Sequence, residues 1–405
     1  MKFLVVGGVA GGASTATRLR RLDESAEIIM FEKGPHVSFS NCCLPYRLSE
    51  TVGETDALVM MSPAQFKNQY NIEARVEHEV LSIDRAAKTV RVKNLSTGEE
   101  YTEAYDKLIL SPGANAFVPQ LPGMEHANIF VVKNVVDIAK LYEFVHSGNV
   151  KKVTVVGGGF IGVETAENLV EAGYEVSLVE AMPQILRIFD YDMVQILHKE
   201  MMEKGVNLIL NDQVVACEGS NLKLASGKVV EGDAVVMAIG VRADSKLAKD
   251  AGLELNERGA IKVDANYCTS DRNIYAVGDA IEVYNAITHR PMSLTMAGPA
   301  QKQARAAADH IYGRTVRNTG YIGSSCIRVF DYNAASTGLT AAQCEAAGLS
   351  YDIAYVIPQD KVGLMPNNYP LFYKLVYEVP TGKVLGAQAI SKGEAAKRID
   401  IVATL

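Results

Sequence analysis

The segment at 38–46, with the sequence SFSNCCLPY, contains the residue with the clearest capacity for chemistry. A thiol becomes a useful nucleophile when its pKa is lowered, and a helix N-terminus does this through its free N–H groups and positive dipole end. Asn41 is a favoured N-cap residue directly before Cys42. We therefore predict that Cys42 is reactive. The alternative is an inert cysteine that packs as a small hydrophobic residue.

Residues 2–32 show the pattern typical of a dinucleotide-binding unit. A strand over 2–6 leads into a glycine turn at 7–12, then a helix to Leu22 and a strand over 27–31 that ends at Glu32. Such glycines let the backbone approach a pyrophosphate, and the acid takes ribose hydroxyls. The middle glycine of the pattern is replaced by valine, and a glycine turn alone also serves ordinary tight turns. The complete pattern predicts a first cofactor site at Gly7, Gly8, Val9, Ala10, Gly11, Gly12, Glu32 and Lys33.

A second unit repeats this pattern without the departure. A strand over 152–156 precedes the turn at 157–162, followed by a helix to Ala172 and a strand over 175–179 that ends at Glu180. A carboxylate at this position accepts hydrogen bonds from a free ribose 2′-hydroxyl and repels a 2′-phosphate, which favours NADH over NADPH. The alternative is an exposed acid at a strand end. The predicted second site comprises Gly157, Gly159, Phe160, Ile161, Gly162, Glu164, Glu180 and Gly240.

Segments between and after these units predict further elements of the first site. Residues 71–106 alternate in short apolar and polar runs and predict an antiparallel meander, and a strand over 107–110 ends at SPGA. A helix over 300–312 starts near a proline and directs its N-terminus towards an electron-rich ring, unless it is simply a surface helix. Asp279 can hydrogen-bond a polyol hydroxyl. These segments add Gly113, Gly278, Asp279, Pro299 and Ala300 to the first site.

The sequence predicts three domains. The first comprises residues 1–113 and 246–320, the second 114–245, with a boundary marked by prolines at 119 and 122, and the third 321–405. The third contains predicted strands over 325–330, 350–358, 371–379 and 384–389 and a helix over 341–347. An amphipathic pattern over 398–405 has no C-cap glycine or proline, so we expect this domain to be incomplete. The predicted fold class is α/β, with two Rossmann-like domains and an α+β interface domain.

Composition restricts the classes of function. The 405 residues are 48% hydrophobic and 21% charged, which is typical of globular folding throughout. A net charge of −7 argues against nucleic-acid binding. Six scattered cysteines fit neither a disulfide scaffold nor a zinc site, so we predict no metal and a reducing, cytoplasmic location. No segment is long enough to predict a membrane span.

Together, the two glycine turns, the Gly278-Asp279 pair and the thiol after the first unit resemble the pyridine nucleotide-disulfide oxidoreductases, over essentially the whole chain. Members of the glutathione-reductase branch carry a cysteine pair that Cys42 lacks, so the chain resembles the single-cysteine branch. Within it, the segment at 38–46 is similar to the signature of coenzyme A-disulfide reductases and NADH-dependent persulfide reductases. That register implies that Cys42 is the nucleophile and Cys43 the variable position. Adjacent Cα atoms about 3.8 Å apart also fall below the disulfide range.

The resemblance implies particular roles for these residues. FAD would occupy the first site and NADH the second, and Phe160 would cover the flavin until nicotinamide displaces it. Coenzyme A contacts would fall on Ser14, Arg18, Arg21, Ser38 and Asn41. The first three share one helical stripe, here called the basic stripe, whose guanidinium groups can hold phosphates. A solvated basic face is the alternative.

Three departures from the family pattern bear on the substrate. Ala10 stands where NADH peroxidases and water-forming oxidases have a histidine. The sequence at 364–366, Leu-Met-Pro, stands where the reductases of the family have a tyrosine pair. In their homodimer, the first of these tyrosines contributes to the active site of the partner subunit. The resemblance also implies a further tyrosine and a lysine that contacts coenzyme A at positions beyond residue 405, and we expect no rhodanese domain in this sequence.

The resulting hypothesis is an FAD-containing, NADH-dependent reductase of coenzyme A disulfide, persulfide or polysulfide. Electrons would pass from NADH through the flavin to a mixed disulfide at Cys42. One alternative is an NADH oxidase or peroxidase in which this cysteine cycles through a sulfenic acid. The alternative from another class is a non-catalytic flavoprotein that senses NADH.

Overall fold

The computed structural model describes residues 1–314 and 318–405. Residues 315–317, inside the predicted first-domain segment 246–320, lie outside the described residues. The α-helices within the described ranges are α1 (Ala10–Leu22), α2 (Pro63–Tyr70), α3 (Val135–Val145), α4 (Phe160–Glu171), α5 (Tyr191–Glu203), α6 (Lys246–Asp250), α7 (Ala297–Ile311), α8 (Ala341–Ala347) and α9 (Ala396–Ala403). Short 3-10 helices lie at Asn41–Cys43, Pro45–Arg47, Thr55–Leu58, Met124–His126 and Gly278–Ala280.

The strands of these ranges are short and form several separate sheets. They are β1 (Lys2–Val6), β2 (Glu27–Glu32), β3 (Glu73–Val76), β4 (His78–Asp84), β5 (Thr89–Asn94), β6 (Glu100–Ala104), β7 (Lys107–Leu110), β8 (Ala114–Ala116), β9 (Ile129–Phe130), β10 (Lys152–Val156), β11 (Glu175–Val179), β12 (Asn207–Ile209), β13 (Val214–Glu218), β14 (Asn221–Leu224), β15 (Val229–Val230), β16 (Ala234–Met237), β17 (Val241–Ala243), β18 (Ile274–Ala276), β19 (Val283–Tyr284), β20 (Pro291–Met292), β21 (Ser324–Val329), β22 (Tyr332–Gly338), β23 (Tyr351–Val356), β24 (Phe372–Glu378) and β25 (Val384–Ser391).

The first parallel sheet has the strand order β18-β7-β1-β2-β3. Its central strand β1 is an apolar run because both of its faces are covered, and Phe3, Leu4 and Val5 are fully buried. All five strands point the same way, so the loops after β1, β2, β7 and β18 meet at one edge. In a doubly wound sheet this edge is where ligands bind.

The second parallel sheet has the strand order β12-β11-β10-β16-β9. Val153 and Val155 on β10 are buried, as are Val235 and Val236 on β16. The chain crosses twice between the two parallel sheets. The two connecting segments contain β8 and β17, which pair as an antiparallel ribbon. The carboxyl ends of β10, β11 and β16 carry the second glycine turn and Glu180.

The C-terminal region contains an antiparallel sheet with the order β21-β22-β25-β24-β23. The predicted helix over 341–347 is confirmed as α8, which begins with a capping box between Thr340 and Gln343. Strand β22 was not predicted, because its sequence YNAASTG lacks the large β-branched and aromatic residues that mark most strands. Its small residues fit because β22 lies between β21 and β25 and is hydrogen-bonded on both sides.

Two other predicted elements differ from the structure. The predicted meander over 71–106 comprises only β4, β5 and β6, because β3 joins the edge of the first parallel sheet. Helix α7 begins at Ala297 rather than at 300, and Pro299 lies within its first turn, where it has no need of an intrahelical N–H bond. None of the helices in the described part of the chain is both long and apolar enough to cross a bilayer.

Candidate active site

A cavity of about 1660 Å³ opens between the carboxyl edges of the two parallel sheets. Its wall contains every residue predicted for the two cofactor sites except Gly8, Gly12 and Gly162. Cys42 and Asn41 lie on the same wall. Sequence segments that are far apart in the chain are therefore brought to a single cavity, as the parallel topology requires.

The first glycine turn is held closely against the neighbouring chain. Gly7 has a φ of +96°, and a Cβ atom there would lie 2.0 Å from the Ser111 carbonyl oxygen. At Gly12 a Cβ atom would lie 1.8 Å from the Gly7 carbonyl oxygen. Only glycine fits these two positions. Helix α1 then begins at Ala10 with no acidic residue in its first turn, so its N-terminal N–H groups remain suited to an anion.

Open space lies beside a different set of glycines. A Cβ atom at Gly113, Gly159 or Gly240 would meet no atom within 4 Å, and all three residues line the cavity. Side chains at these positions would project into the space that a ligand needs. The dimensions of the cavity and these bare stretches of backbone fit the dinucleotides predicted from the sequence.

The two strand-end acids occupy equivalent positions in the two units. The Gly8 N–H donates to Glu32 Oε2 over 2.9 Å, and the Gly158 N–H donates to Glu180 Oε2 over 2.6 Å. The Met182 N–H also donates to Glu180 Oε1 over 2.8 Å. Each carboxylate therefore fixes its glycine turn to the end of the neighbouring strand. Each carboxylate oxygen has further lone pairs with which it can accept hydrogen bonds from ribose hydroxyls.

Asp279 lies on the cavity wall in the 3-10 helix after β18. Burial raises the pKa of its carboxyl, and Lys133, whose Nζ is 3.8 Å from Oδ2, partly offsets this rise. The preceding N–H of Gly278 donates to Gln303 Oε1 over 2.6 Å, which connects this turn to α7. Asp279 therefore lies on the cavity wall, and the polyol contact predicted for it stays a prediction.

The Cys42 loop is attached at several points to the two parallel units. The Ser38 N–H donates to the Gly8 carbonyl over 2.8 Å, and the Asn41 side-chain amide donates to the Lys133 carbonyl over 2.9 Å. Cys42 is exposed, whereas Cys43 is partly buried and packs against the hydrophobic core of the second unit. Cys42 therefore lines the cavity and Cys43 does not, and the reactivity predicted for Cys42 stays a prediction.

The helix N-terminus predicted at Cys42, with Asn41 as its cap, is wrong for this structure. The local helix is a single 3-10 turn capped at Ser40 rather than Asn41, and Ser40 makes no side-chain cap hydrogen bond. Although Cys42 is exposed as a residue, partial burial of its sulfur raises the pKa of the thiol, and the charge of Glu164 adds to this rise. One turn of helix provides too small a dipole to offset these two effects.

The basic stripe lies outside the cavity wall. Arg18 donates from Nε and Nη2 to Asp309 Oδ1 over 2.9 and 2.6 Å, and Ser14 is half-buried. Arg21 is exposed. The three residues share one face of α1 as predicted, but only Arg21 presents an exposed guanidinium. Their predicted contact with coenzyme A stays a prediction.

Sequence reasoning missed two residues of the site. The Ser111 carbonyl bounds the first glycine turn, and Ser111 Oγ would lie 2.4 Å from a Cβ atom at Gly11. Lys133 faces Asp279 through its ammonium group and holds Asn41 through its carbonyl. The only sequence signal for Lys133 is its position after a short apolar strand. Local sequence patterns predict the contacts of Ser111 and Lys133 poorly, because each contact joins residues that are far apart in the chain.

The segment at 364–366, which we predict to stand in place of a tyrosine pair, lies in the loop between β23 and β24. Leu364 is 93% exposed and Met365 is 56% exposed. Neither residue lines the cavity of its own chain. Large exposed apolar side chains in such a loop are typical of a surface that another molecule covers.

Comparison with known proteins agrees with this geometry. The family model described as pyridine nucleotide-disulphide oxidoreductase matches residues 1–304, and the model of its dimerisation domain matches residues 324–405. The coenzyme A disulfide reductase of Staphylococcus aureus strain JH9 is 34% identical over 402 residues, which are 99% of this chain and 91% of that protein.

Two solved structures are similar along the whole chain. The reduced Bacillus anthracis CoADR-RHD is 42% identical with a TM-score of 0.98, over 100% of this chain and 73% of that one. The NAD-dependent persulfide reductase from A. fulgidus is 34% identical with a TM-score of 0.96, over 100% of this chain and 76% of that one. With two glycine turns on one cavity and a family model that covers residues 1–304, the chain belongs to the pyridine nucleotide-disulfide oxidoreductases and is an FAD-containing oxidoreductase.

Proposed function

We propose that the protein uses NADH to reduce coenzyme A disulfide, persulfide or polysulfide through Cys42. The observation that carries this proposal is the exposed Cys42 thiol on the wall shared by both glycine turns. FAD, when bound at the first turn, supplies the redox chemistry between nicotinamide and sulfur. NADH occupies the second turn.

The role of Cys42 is nucleophilic attack on the substrate's sulfur–sulfur bond. Its thiolate forms a mixed disulfide and displaces a thiolate, and two electrons from NADH then release the second thiol. Anchoring of the loop at Ser38 and Asn41 orients the thiol towards the cavity. The partly buried Cys43 takes no part.

Cofactor preference depends on Glu180. Its Oε1 and Oε2 atoms are already hydrogen-bonded to backbone N–H groups, so the carboxylate is fixed at the end of β11. A fixed negative charge at this point repels a ribose 2′-phosphate and accepts a 2′-hydroxyl. NADH is therefore preferred over NADPH.

The choice of substrate class draws support from the relatives. One relative is named a coenzyme A disulfide reductase and another an NAD-dependent persulfide reductase. On this chain, the exposed Arg21 is the residue of the basic stripe best placed to hold a phosphate of coenzyme A. Ser38 and Asn41 would contact the part of the substrate nearest the sulfur.

The active form we propose is a homodimer. The matched dimerisation model covers residues 324–405, and this region exposes apolar side chains on β23 and in the following loop, namely Ile353, Tyr355, Val356, Ile357, Val362, Leu364 and Met365. A second copy of the chain would cover this surface. The cytoplasmic location stays a prediction.

Paired cysteine variants test the proposal. Cys42→Ser should keep FAD and its reduction by NADH but lose turnover with disulfides, because only the sulfur half-reaction needs the thiolate. Cys43→Ser is the matched control and should retain most activity. Disulfide turnover by Cys42→Ser at the wild-type rate would contradict the proposal. Oxygen consumption without disulfide turnover in the wild type would instead indicate an NADH oxidase, and no turnover at all would indicate an NADH sensor.

A further inference from the structure

Arg47 lies five residues after Cys42 and is almost completely buried. Its side chain is 6% exposed, and its Nη1 atom has no hydrogen-bond partner among the residues that the structure describes. Its Nε atom donates to Thr55 Oγ1 over 3.3 Å. Burial of a cation with so few hydrogen bonds costs free energy that an apolar side chain of similar size would avoid. The contribution of Arg47 is therefore not explained by packing alone.

The Arg47 guanidinium lies on the ring of Tyr142, which belongs to α3. Its Cζ atom is 3.4 Å from the ring centroid. A cation over an aromatic face is attracted by the negative charge of the π system, and the attraction is larger where water is excluded. The Tyr142 hydroxyl donates to Glu50 Oε1 over 2.5 Å. The ring is therefore held at its face by Arg47 and at its hydroxyl by Glu50.

Residues 41–51, here called the cysteine segment, follow β2 of the first unit but pack against the second unit. Leu44 and Leu48 are buried in the hydrophobic core to which α3 and α4 contribute. Ser49 Oγ donates to Oδ1 of the buried Asn168 on α4 over 2.6 Å. The stacked ring adds a contact with α3. The placement of the cysteine segment therefore depends on side chains of the second unit.

Two short 3-10 turns, on either side of Leu44, connect Arg47 to the thiol. The Arg47 N–H donates to the Leu44 carbonyl over 3.1 Å, and the Leu44 N–H donates to the Asn41 carbonyl over 3.3 Å. Backbone hydrogen bonds thus run without a gap from Arg47 to the residue before Cys42. A displacement of the Arg47 backbone would be passed on to the thiol on the cavity wall.

We propose that Arg47 and Tyr142 are positioning residues, which hold the Cys42 thiol at the cavity wall by fixing the cysteine segment to α3. The inference rests on the function proposed above and adds the residues that keep its nucleophile in place. Neither positioning residue lines the cavity, so they act through the segment and not on the substrate. Reduction of the flavin by NADH does not need the thiol and is independent of the stack. Transfer of electrons to sulfur depends on it, because a displacement of about 1 Å can slow a reaction between held groups strongly.

Hydrogen exchange of the FAD-loaded protein, followed by mass spectrometry, tests the attachment without any substrate. Tyr142→Leu removes the ring, and Arg47→Met removes the cation but keeps an unbranched side chain. In both variants, peptides from residues 41–51 should exchange about tenfold faster than in the wild type, since their hydrogen bonds open more often. Tyr142→Phe keeps the ring face and should exchange at nearly the wild-type rate.

Tyr101→Leu is the matched control for a general loss of stability. The Tyr101 ring lies on β6 of the first unit, and the guanidinium of Arg75 is 5.6 Å from its centroid. This variant also removes a ring that contacts an arginine, but at a position outside the cysteine segment. Exchange of residues 41–51 and both half-reactions should be the same as in the wild type.

Stopped-flow kinetics of the two half-reactions test the positioning itself. Flavin reduction by NADH should keep its wild-type rate in Tyr142→Leu and Arg47→Met. Oxidation of the reduced enzyme by coenzyme A disulfide should be about tenfold slower or more. Inorganic polysulfide should show the same loss, because the thiol is displaced and not a contact with the substrate. Tyr142→Phe should restore most of the rate.

Unchanged exchange of the cysteine segment in Tyr142→Leu would overturn the inference. Equal slowing of both half-reactions, or the same slowing in Tyr101→Leu, would also overturn it, since either result indicates a general loss of stability. A wild type that reduces neither acceptor, with the exchange differences present, would count against the proposed function and not against the attachment of the segment.

Discussion

Arg18 on α1 and Asp309 on α7 form an ion pair in which Nε and Nη2 both donate to one carboxylate oxygen, over 2.9 and 2.6 Å. The pair joins the helix of the first glycine turn to the helix that borders the flavin cavity. Arg21 lies three residues further along α1 and is exposed. Two arginines that are equivalent in the sequence therefore have different surroundings in the structure.

Arg21→Ala should lower kcat/KM for coenzyme A disulfide by about tenfold, since a charge-assisted contact with phosphate contributes roughly 1.5–3 kcal/mol. Inorganic polysulfide should be reduced at an unchanged rate, because it has no phosphate to hold. Steady-state kinetics with the two acceptors provide the measurement. Equal losses on both acceptors would show that Arg21 does not act through a coenzyme A phosphate.

Arg18→Ala should lower the melting temperature, because it removes a half-buried ion pair of about 1 kcal/mol. Asp309→Asn is the matched control and should give a similar loss. Calorimetry measures the melting temperatures of both variants. The melting temperature of Arg21→Ala should be unchanged, which separates a structural arginine from one that binds substrate. An unchanged melting temperature in Arg18→Ala would contradict this assignment.

Replacing Glu180 should reduce the preference for NADH. Glu180→Gln removes the charge that repels a 2′-phosphate but keeps an oxygen for the Gly158 N–H. The ratio of kcat/KM for NADH to that for NADPH should fall by about tenfold or more, because one charged interaction with the ribose end of the cofactor is removed. Glu175→Gln, at the exposed start of the same strand, is the control and should leave the ratio unchanged.

The Cys42 thiol of flavin-free protein should react with iodoacetamide more slowly at pH 7 than a free cysteine. Burial and Glu164 raise the pKa of this thiol, so a smaller fraction of it is thiolate at neutral pH. The alkylation rate should therefore keep increasing at pH values above the ordinary pKa of a cysteine. Glu164→Gln removes one cause and should move the profile to lower pH. Mass spectrometry of alkylated Cys42 across a pH series measures both profiles, and a profile that moves to higher pH in the variant would contradict the assigned cause.

Leu364→Asp should weaken the proposed homodimer. A charge in place of a side chain that is 93% exposed in one chain costs nothing in the monomer but cannot be buried against a second copy. Sedimentation velocity should show a larger monomer fraction than in the wild type. Leu95→Asp, an exposed leucine in the turn between β5 and β6, serves as control, and equal sedimentation of both variants would exclude Leu364 from the interface.

The sequence by itself determined the two parallel units, because their apolar strands, glycine turns and terminal acids are local patterns. The bounds of β1, α1, β10 and α8 agree with prediction for this reason. Strand β22 escaped prediction because its small residues become a strand only between two partners. The strand β3 joined a different sheet from the one its alternation indicated, because pairing is decided by neighbours remote in sequence.

Within the predicted site, the sequence gives candidate residues but not their environments. The run Arg18-Leu19-Arg20-Arg21 reads as a basic helix, yet tertiary contacts pair Arg18 with Asp309, bury Arg20 against backbone carbonyls and leave Arg21 exposed. Likewise, the thiol pKa at Cys42 is raised rather than lowered, because burial and Glu164 outweigh a single 3-10 turn. Residue type and spacing are properties of the chain, whereas burial and long-range charge arise only when distant segments pack together.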